Sequence, residues 1–166
     1  LMRPDPLPLE LLESLPLVYR AVVPESYRDF NDHLNVRGYL ALYDDAGIPL
    51  FALLGLDEAY FRAGQATTFD LEHHIHYLSE VGIGDALAFR ARLVGRSAKR
   101  LHYLLFMVNE TRGALASTLE VLNTHVDRGT RRTTPYPASI AARMDAMLAA
   151  HDRLGWPAPV CGALRA

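Results

Sequence analysis

From about Val36 to Leu54 apolar side chains recur on almost every side of a single helical repeat. Leu40, Tyr43, Ile48, Phe51 and Leu54 share the stretch with Leu42, Leu50 and Leu53. A helix lying on a surface needs one apolar stripe. The coverage here predicts a helix buried over most of its circumference, ending near Gly55. Such a helix must be enclosed by other elements, and the rest of the chain offers strands. Thr67–Leu78 alternates, with Phe69, Leu71, His73, Ile75 and Tyr77 on one face and Asp70, Glu72, His74 and His76 on the other. Three further β-rich runs follow at short intervals: 86–95, 101–109 and 114–126. An earlier one, LVYRAVV at 17–23, stops at Pro24, which cannot donate to a ladder. Consecutive strands with short turns predict an antiparallel meander of about five strands. Its open face would be covered by the long helix. That is an α+β hotdog architecture.

The chain before and after this body is of another character. Residues 1–16, with four prolines, read as an N-terminal arm with one helical turn near Glu10–Ser14. Residues 17–134 form the domain, and 135–166 a C-terminal helix (139–151) and proline-rich tail packing on it. A formal charge of -2 gives no reason to expect nucleic acid. No apolar run reaches the roughly 20 residues that span a bilayer. The single Cys161 excludes an intrachain disulfide and points to a reducing compartment, so a cytoplasmic location is expected.

Chemistry concentrates just before the long helix. The turn YRDFNDHLN places Asp29, Asn31, Asp32, His33 and Asn35 within seven residues. Asn35 is a good N-cap, its side chain accepting from the first free N–H groups. An acid at the positive end of a buried helix dipole is well placed to act on a substrate whose negative charge develops there. Read without that chemistry, Asp29 is an Asx-turn residue shaping the loop.

The stretch Asp29-Phe30-Asn31-Asp32-His33-Leu34-Asn35, with Tyr39 four residues on, resembles the signature of hotdog-fold acyl-CoA thioesterases of the 4-hydroxybenzoyl-CoA thioesterase type. That signature is an Asp, two variable residues, Gly-His, an apolar residue, Asn, and a Tyr inside the helix. FDLEHHIHYLSEVGIGDAL is similar to the family's second strand and Gly-Asp turn. YDDAG, LLGLDEAY, SAKRLHYLLFMV and HVDRGTRRTTPYP resemble a subgroup of betainyl-CoA thioesterases associated with carnitine and betaine breakdown.

The resemblance covers residues 17–134 and implies hydrolysis of a small or polar acyl-CoA without metal or cofactor. It implies a homodimer or dimer of dimers, each site built at the subunit interface. Asp29 matches the catalytic carboxylate, as general base or nucleophile, with Asn31, Asp32, His33 and Asn35 supporting the loop and helix start. Asp32 stands where the family has Gly. There a carboxylate must turn to solvent, or else raise the pKa of Asp29 as a like charge. Lys99, Arg100, Arg128, Arg131 and Arg132 are candidate grips for the phosphates of CoA. Phe30, Tyr39, Tyr43 and Tyr77 are candidates for the acyl pocket, where aromatic rings could hold a quaternary ammonium. Asp44 and Asp45 on the helix are an alternative carboxylate pair.

Two other readings stay open. A non-catalytic hotdog dimer could bind CoA esters, with Asp32 spoiling the site. His74, His76 and Glu80 also match the first metal motif of cupins, HxHxxxE, although the glycine before it and the later histidine are missing. No GxSxG elbow is present.

Overall fold

The structure, a computed structural model, describes residues 7–166. The first six residues of the expected N-terminal arm lie outside the described residues. The elements in order are α1 (Leu9–Leu12), β1 (Leu17–Val22), α2 (Val36–Leu53), α3 (Glu58–Arg62), β2 (Ala66–Tyr77), β3 (Ala86–Arg96), β4 (Arg100–Asn109), β5 (Ala114–Asp127) and α4 (Ala138–His151). The strands form one five-stranded antiparallel sheet, and with the long helix α2 this is the expected α+β hotdog fold.

The strand order is β1-β3-β4-β5-β2, so the simple meander is corrected. Only β3, β4 and β5 follow one another. Eight residues separate Tyr77 from Ala86, too long for a tight hairpin, and β2 crosses to the outer edge of β5. There Leu78 N–H donates to Ala116 C=O, and Ser117 Oγ to His76 C=O. Farther along, Asn123 Nδ2 reaches Asp70 Oδ1, so rising numbers on β5 meet falling ones on β2. The edge of β3 away from β4 is already occupied by β1, with Leu17 opposite Arg90 and Val22 opposite Ala86.

Contacts group the described chain into two compact units. The first holds the chain up to Gly47 with Ile75–Ala91 and Leu105–Leu119. Its core joins Leu42, Tyr43 and Ala46 of α2 to Leu87 and Phe89 of β3 and Leu105 and Met107 of β4. Tyr43 meets the Phe89 ring edge-on at 5.6 Å. The second unit holds Ile48–His74, Arg92–Leu104 and Glu120–Ala166. There Phe51 of α2 packs edge-on against Tyr103 of β4, and Leu50, Leu54 and Leu56 are buried. The tail is tied down by polar contacts. His151 Nδ1 accepts the Leu93 N–H, Arg92 lies over the Trp156 ring, and Glu120 bridges His102 and the Cys161 N–H.

One expectation about α2 is corrected, while its extent to near Gly55 holds. The helix is not buried on most of its circumference, because Val36, Leu40, Ile48 and Leu53 are exposed. It also continues through Pro49, which removes one intrahelical donor. Burial of Leu50 and Leu54 just beyond the proline stabilises the last turns where propensity does not. On β2, Phe69, Leu71 and Tyr77 are exposed rather than half-buried. No helix among the described residues is long and apolar enough to cross a membrane.

Candidate active site

The loop before α2 and the cavity beside it lie in the first unit. The loop before α2 is tied at both ends by backbone. Arg28 and Leu34 form an isolated antiparallel bridge, and His33 pairs likewise with Gly82. Leu34 N–H donates to Val81 C=O at 2.8 Å. The Tyr27 C=O accepts twice from Asn35, once from the backbone N–H (2.8 Å) and once from Nδ2 (2.7 Å). Asn35 Oδ1 then accepts from the Gly38 N–H at 2.9 Å, which makes Asn35 the N-cap of α2 as expected. Tyr39 N–H makes the first helical bond, to Asn35 C=O. The N–H groups of Val36 and Arg37 precede it, where a helix start has donors to offer a ligand.

Asp29 sits in the hairpin so formed. Its Oδ1 accepts from the backbone N–H groups of Asn31 (2.8 Å) and His33 (2.9 Å). The His33 N–H first, and the Asn31 N–H after it, hold the Asp29 carboxyl below the usual carboxylate range. The Asx-turn reading and the chemical one thus describe a single residue: one oxygen shapes the loop, and the charge is kept.

Asp32 explains how a family glycine is replaced. Its φ is +63°, the left-handed region where glycine is favoured and Asp is among the few tolerated alternatives. Its side chain is 81% exposed and accepts from Arg28 Nη1 at 2.8 Å. It does not raise the pKa of Asp29, which is lowered, so that expectation is corrected. Asp32 turns to solvent and to an arginine.

Asp29, His33, Val36, Tyr39, Tyr77 and Glu80 line a cavity of about 480 Å³, with Leu34, Leu78, Ser79 and Val81 completing its wall. Tyr39 and Tyr77 meet edge-to-face, centroids 5.0 Å apart at 80°. Burial, with Tyr77 and then Glu80 nearby, pushes the Tyr39 phenol up to about 12, and burial raises that of Tyr77. Both are therefore neutral O–H donors at ordinary pH. His33 Nε2 stands 3.4 Å from Glu80 Oε2. The Ser79 Oγ is buried and has no hydrogen-bond partner among the described residues. Just past Val81, Asp85 Oδ2 accepts from Gly82 N–H, Asn109 Nδ2 and Arg112 Nε.

The expected acyl-pocket aromatics divide. Tyr39 and Tyr77 line the cavity. Phe30 is fully exposed and Tyr43 is sealed in the core, so neither lines it. Asn31 contributes its backbone N–H, its side chain being exposed. Asp44 and Asp45 are exposed on α2 and do not line the cavity. Lys99, Arg100, Arg128, Arg131 and Arg132 are exposed residues of the second unit. Among the described residues no three His, Cys, Asp or Glu side chains converge to hold a metal ion, and Glu80 is turned to His33 instead of completing a set with His74 and His76.

Sequence reasoning missed Glu80 as a cavity acid, reading it only as a metal ligand. It also missed Ser79 and Val81. The only signal they carry is their position just past the end of β2, opposite no residue that periodicity could name.

A family model described as the thioesterase-like superfamily matches residues 23–144. A Pseudomonas aeruginosa protein named betainyl-CoA thioesterase is 32% identical over 82% of this chain and 85% of its own length. A Rhizobium meliloti protein named L-carnitine dehydrogenase/betainyl-CoA thioesterase is 30% identical over 81% of this chain, which spans only 27% of that relative. Among solved structures, a Staphylococcus aureus protein in complex with CoA superposes with a TM-score of 0.78 at 28% identity, covering 86% of this chain and 90% of its own.

Proposed function

Because this chain belongs to the thioesterase-like superfamily, we propose that it hydrolyses an acyl-CoA thioester, with Asp29 as the reacting carboxylate and betainyl-CoA as the substrate to test first. The observation that carries the reading is an acid held ionised by two backbone N–H groups, in the wall of a cavity that the start of α2 also lines.

The chemistry follows from that placement. With the thioester carbonyl oxygen against the first N–H groups of α2, charge developing on it is stabilised by fixed donors, a contribution worth on the order of 10²-fold in rate per donor. The lowered pKa makes Asp29 a weak base, while general bases work best with a pKa near the operating pH. The route proposed is direct attack, with activation of a water by the same carboxylate as the alternative. A carboxylate oxygen bonds to the carbonyl carbon, the C–S bond breaks, and CoA leaves as thiolate. Water then cleaves the mixed anhydride, giving the free acid and returning Asp29. Asn35 and His33 hold the loop through the cap and the Asp29 contact. The cations Lys99, Arg100, Arg128, Arg131 and Arg132 are offered to the phosphates of CoA.

We read the working form as a homodimer or dimer of dimers. β2 is an edge strand that exposes Phe69, Leu71 and Tyr77, and an unpaired apolar edge is a site for pairing with another copy. Light scattering after gel filtration tests this; a monomer at micromolar concentration removes it.

Release of free thiol from a panel of acyl-CoAs, including betainyl-CoA, tests the activity. Asp29→Ala and Asp29→Asn are expected to lose at least 10²-fold in kcat/KM. Equal rates in wild type and variants would take Asp29 out of the reaction. Binding of CoA esters with no thiol release would make the protein a binder.

A further inference from the structure

The cavity wall has a chemistry more specific than hydrolysis requires. Among the described residues two carboxylates line it, Asp29 and Glu80, and no lysine or arginine does. Tyr39 and Tyr77 stand nearly perpendicular, so their rings make a corner, in which Tyr39 is buried and Tyr77 is 45% exposed to solvent. Ring faces carry negative electrostatic potential, and a cation placed over one within about 6 Å is attracted to it. Neutral phenols keep that potential without adding a formal charge. The remaining wall is apolar at Leu34, Val36, Leu78 and Val81, which suits methyl groups rather than a hydrated ammonium.

Resting on the thioesterase reading, we propose that Glu80 and the Tyr39–Tyr77 corner set the acyl specificity: they select thioesters ending in a fully alkylated ammonium over uncharged groups of the same shape. A quaternary ammonium has no N–H to satisfy, so the site needs negative potential and apolar walls but no hydrogen-bond acceptor aimed at it. The same wall disfavours anionic acyl groups, whose carboxylate would face two like charges with neither lysine nor arginine among the described lining residues. Glu80 is suited to this because it is the exposed carboxylate of the two. Its side chain is 71% exposed, and its contact is with His33 at 3.4 Å. Asp29, in contrast, is occupied by the loop N–H groups and by the reaction. Tyr39 is fixed by the core, so Tyr77 is the ring with an open face.

The test compares kcat/KM for betainyl-CoA with that for 3,3-dimethylbutyryl-CoA, in which carbon replaces the ammonium nitrogen, and for succinyl-CoA as the anionic case. The wild-type chain is expected to prefer betainyl-CoA over its carbon isostere by roughly tenfold or more, and to use succinyl-CoA least. Glu80→Gln and Tyr77→Leu should each lower the betainyl-to-isostere ratio several-fold. A merely structural defect would lower both substrates together and leave the ratio as it was. Glu58→Gln removes an exposed carboxylate of the second unit that is paired with Arg62, and should not move the ratio. A wild-type ratio near one, or a ratio unchanged in both cavity variants, overturns the proposal while leaving the thioesterase reading intact. Absence of thiol release from every ester tested overturns both.

Discussion

Two glycines of α2 separate packing from propensity. At Gly38 an added Cβ would stand 2.4 Å from Leu34 Cδ1 and 2.9 Å from two carbons of the Tyr27 ring. At Gly47 it would meet nothing within 4 Å. Replacing a helical glycine by alanine gains about 1 kcal/mol of propensity, and at Gly47 that gain stands alone. At Gly38 it is opposed by overpacking, which typically costs 1–3 kcal/mol. The upper half of that range applies. Leu34 is buried, and Tyr27 is held by the two Asn35 bonds to its carbonyl, so neither neighbour moves without the loop. Gly38→Ala is therefore expected to destabilise by about 1–2 kcal/mol and Gly47→Ala to stabilise by about 0.5–1 kcal/mol. Urea unfolding with unchanged m-values reads both. Because Tyr27 and Leu34 flank Asp29 in the chain, Gly38→Ala should also lose about tenfold or more in kcat/KM, a displaced reacting group being costly. Equal stabilities for the two variants, with full activity in Gly38→Ala, would refute the argument that close packing at this helix start positions the acid.

Position 32 needs a left-handed backbone but not a carboxylate, so Asp32→Gly should stay within about 1 kcal/mol of wild type and remain active. Asp32→Val should lose about 1–2 kcal/mol, since a β-branched residue resists that conformation; loss of activity in the glycine variant would show the carboxylate to be needed. Asp29 should keep its charge into acid, placing the acid limb of kcat/KM below the ordinary carboxylate range, and a limb in the histidine range would assign it to another group. Burial first, and the Arg92 charge next, hold the His151 imidazole below its unfolded value of 6.5. Between those two values the unfolded chain binds the extra proton, so stability rises with pH there and is lost as pH falls from 6.5 toward the folded value. His151→Asn, which keeps an acceptor for the Leu93 N–H, should flatten that slope in thermal melts from pH 7.5 to 5, and an unchanged slope would clear His151 of the effect.

The elements were legible along the chain because their signals are local. Alternation marks β2, β-rich runs at short intervals mark β3 to β5, Pro24 ends β1, and Asn35 announces α2 through a cap that reaches only three residues forward. The acid was legible for the same reason: the bonds that depress Asp29 come from Asn31 and His33 in its own turn. Tertiary structure decided what depends on residues far apart in the chain. Pairing of β2 with β5 rests on backbone contacts such as Leu78 to Ala116, which no periodicity encodes. Phe30 and Tyr39 are equally aromatic in sequence, yet one is fully exposed and the other walls the cavity, because only Tyr39 lies on the helix face turned toward Tyr77. Glu80 became a site residue in the same way, when Leu34 and His33 bonded to the segment just beyond it. Sequence by itself determined which side chains could do chemistry; long-range backbone pairing, which depends on where distant N–H and C=O groups find partners, decided which of them share a cavity.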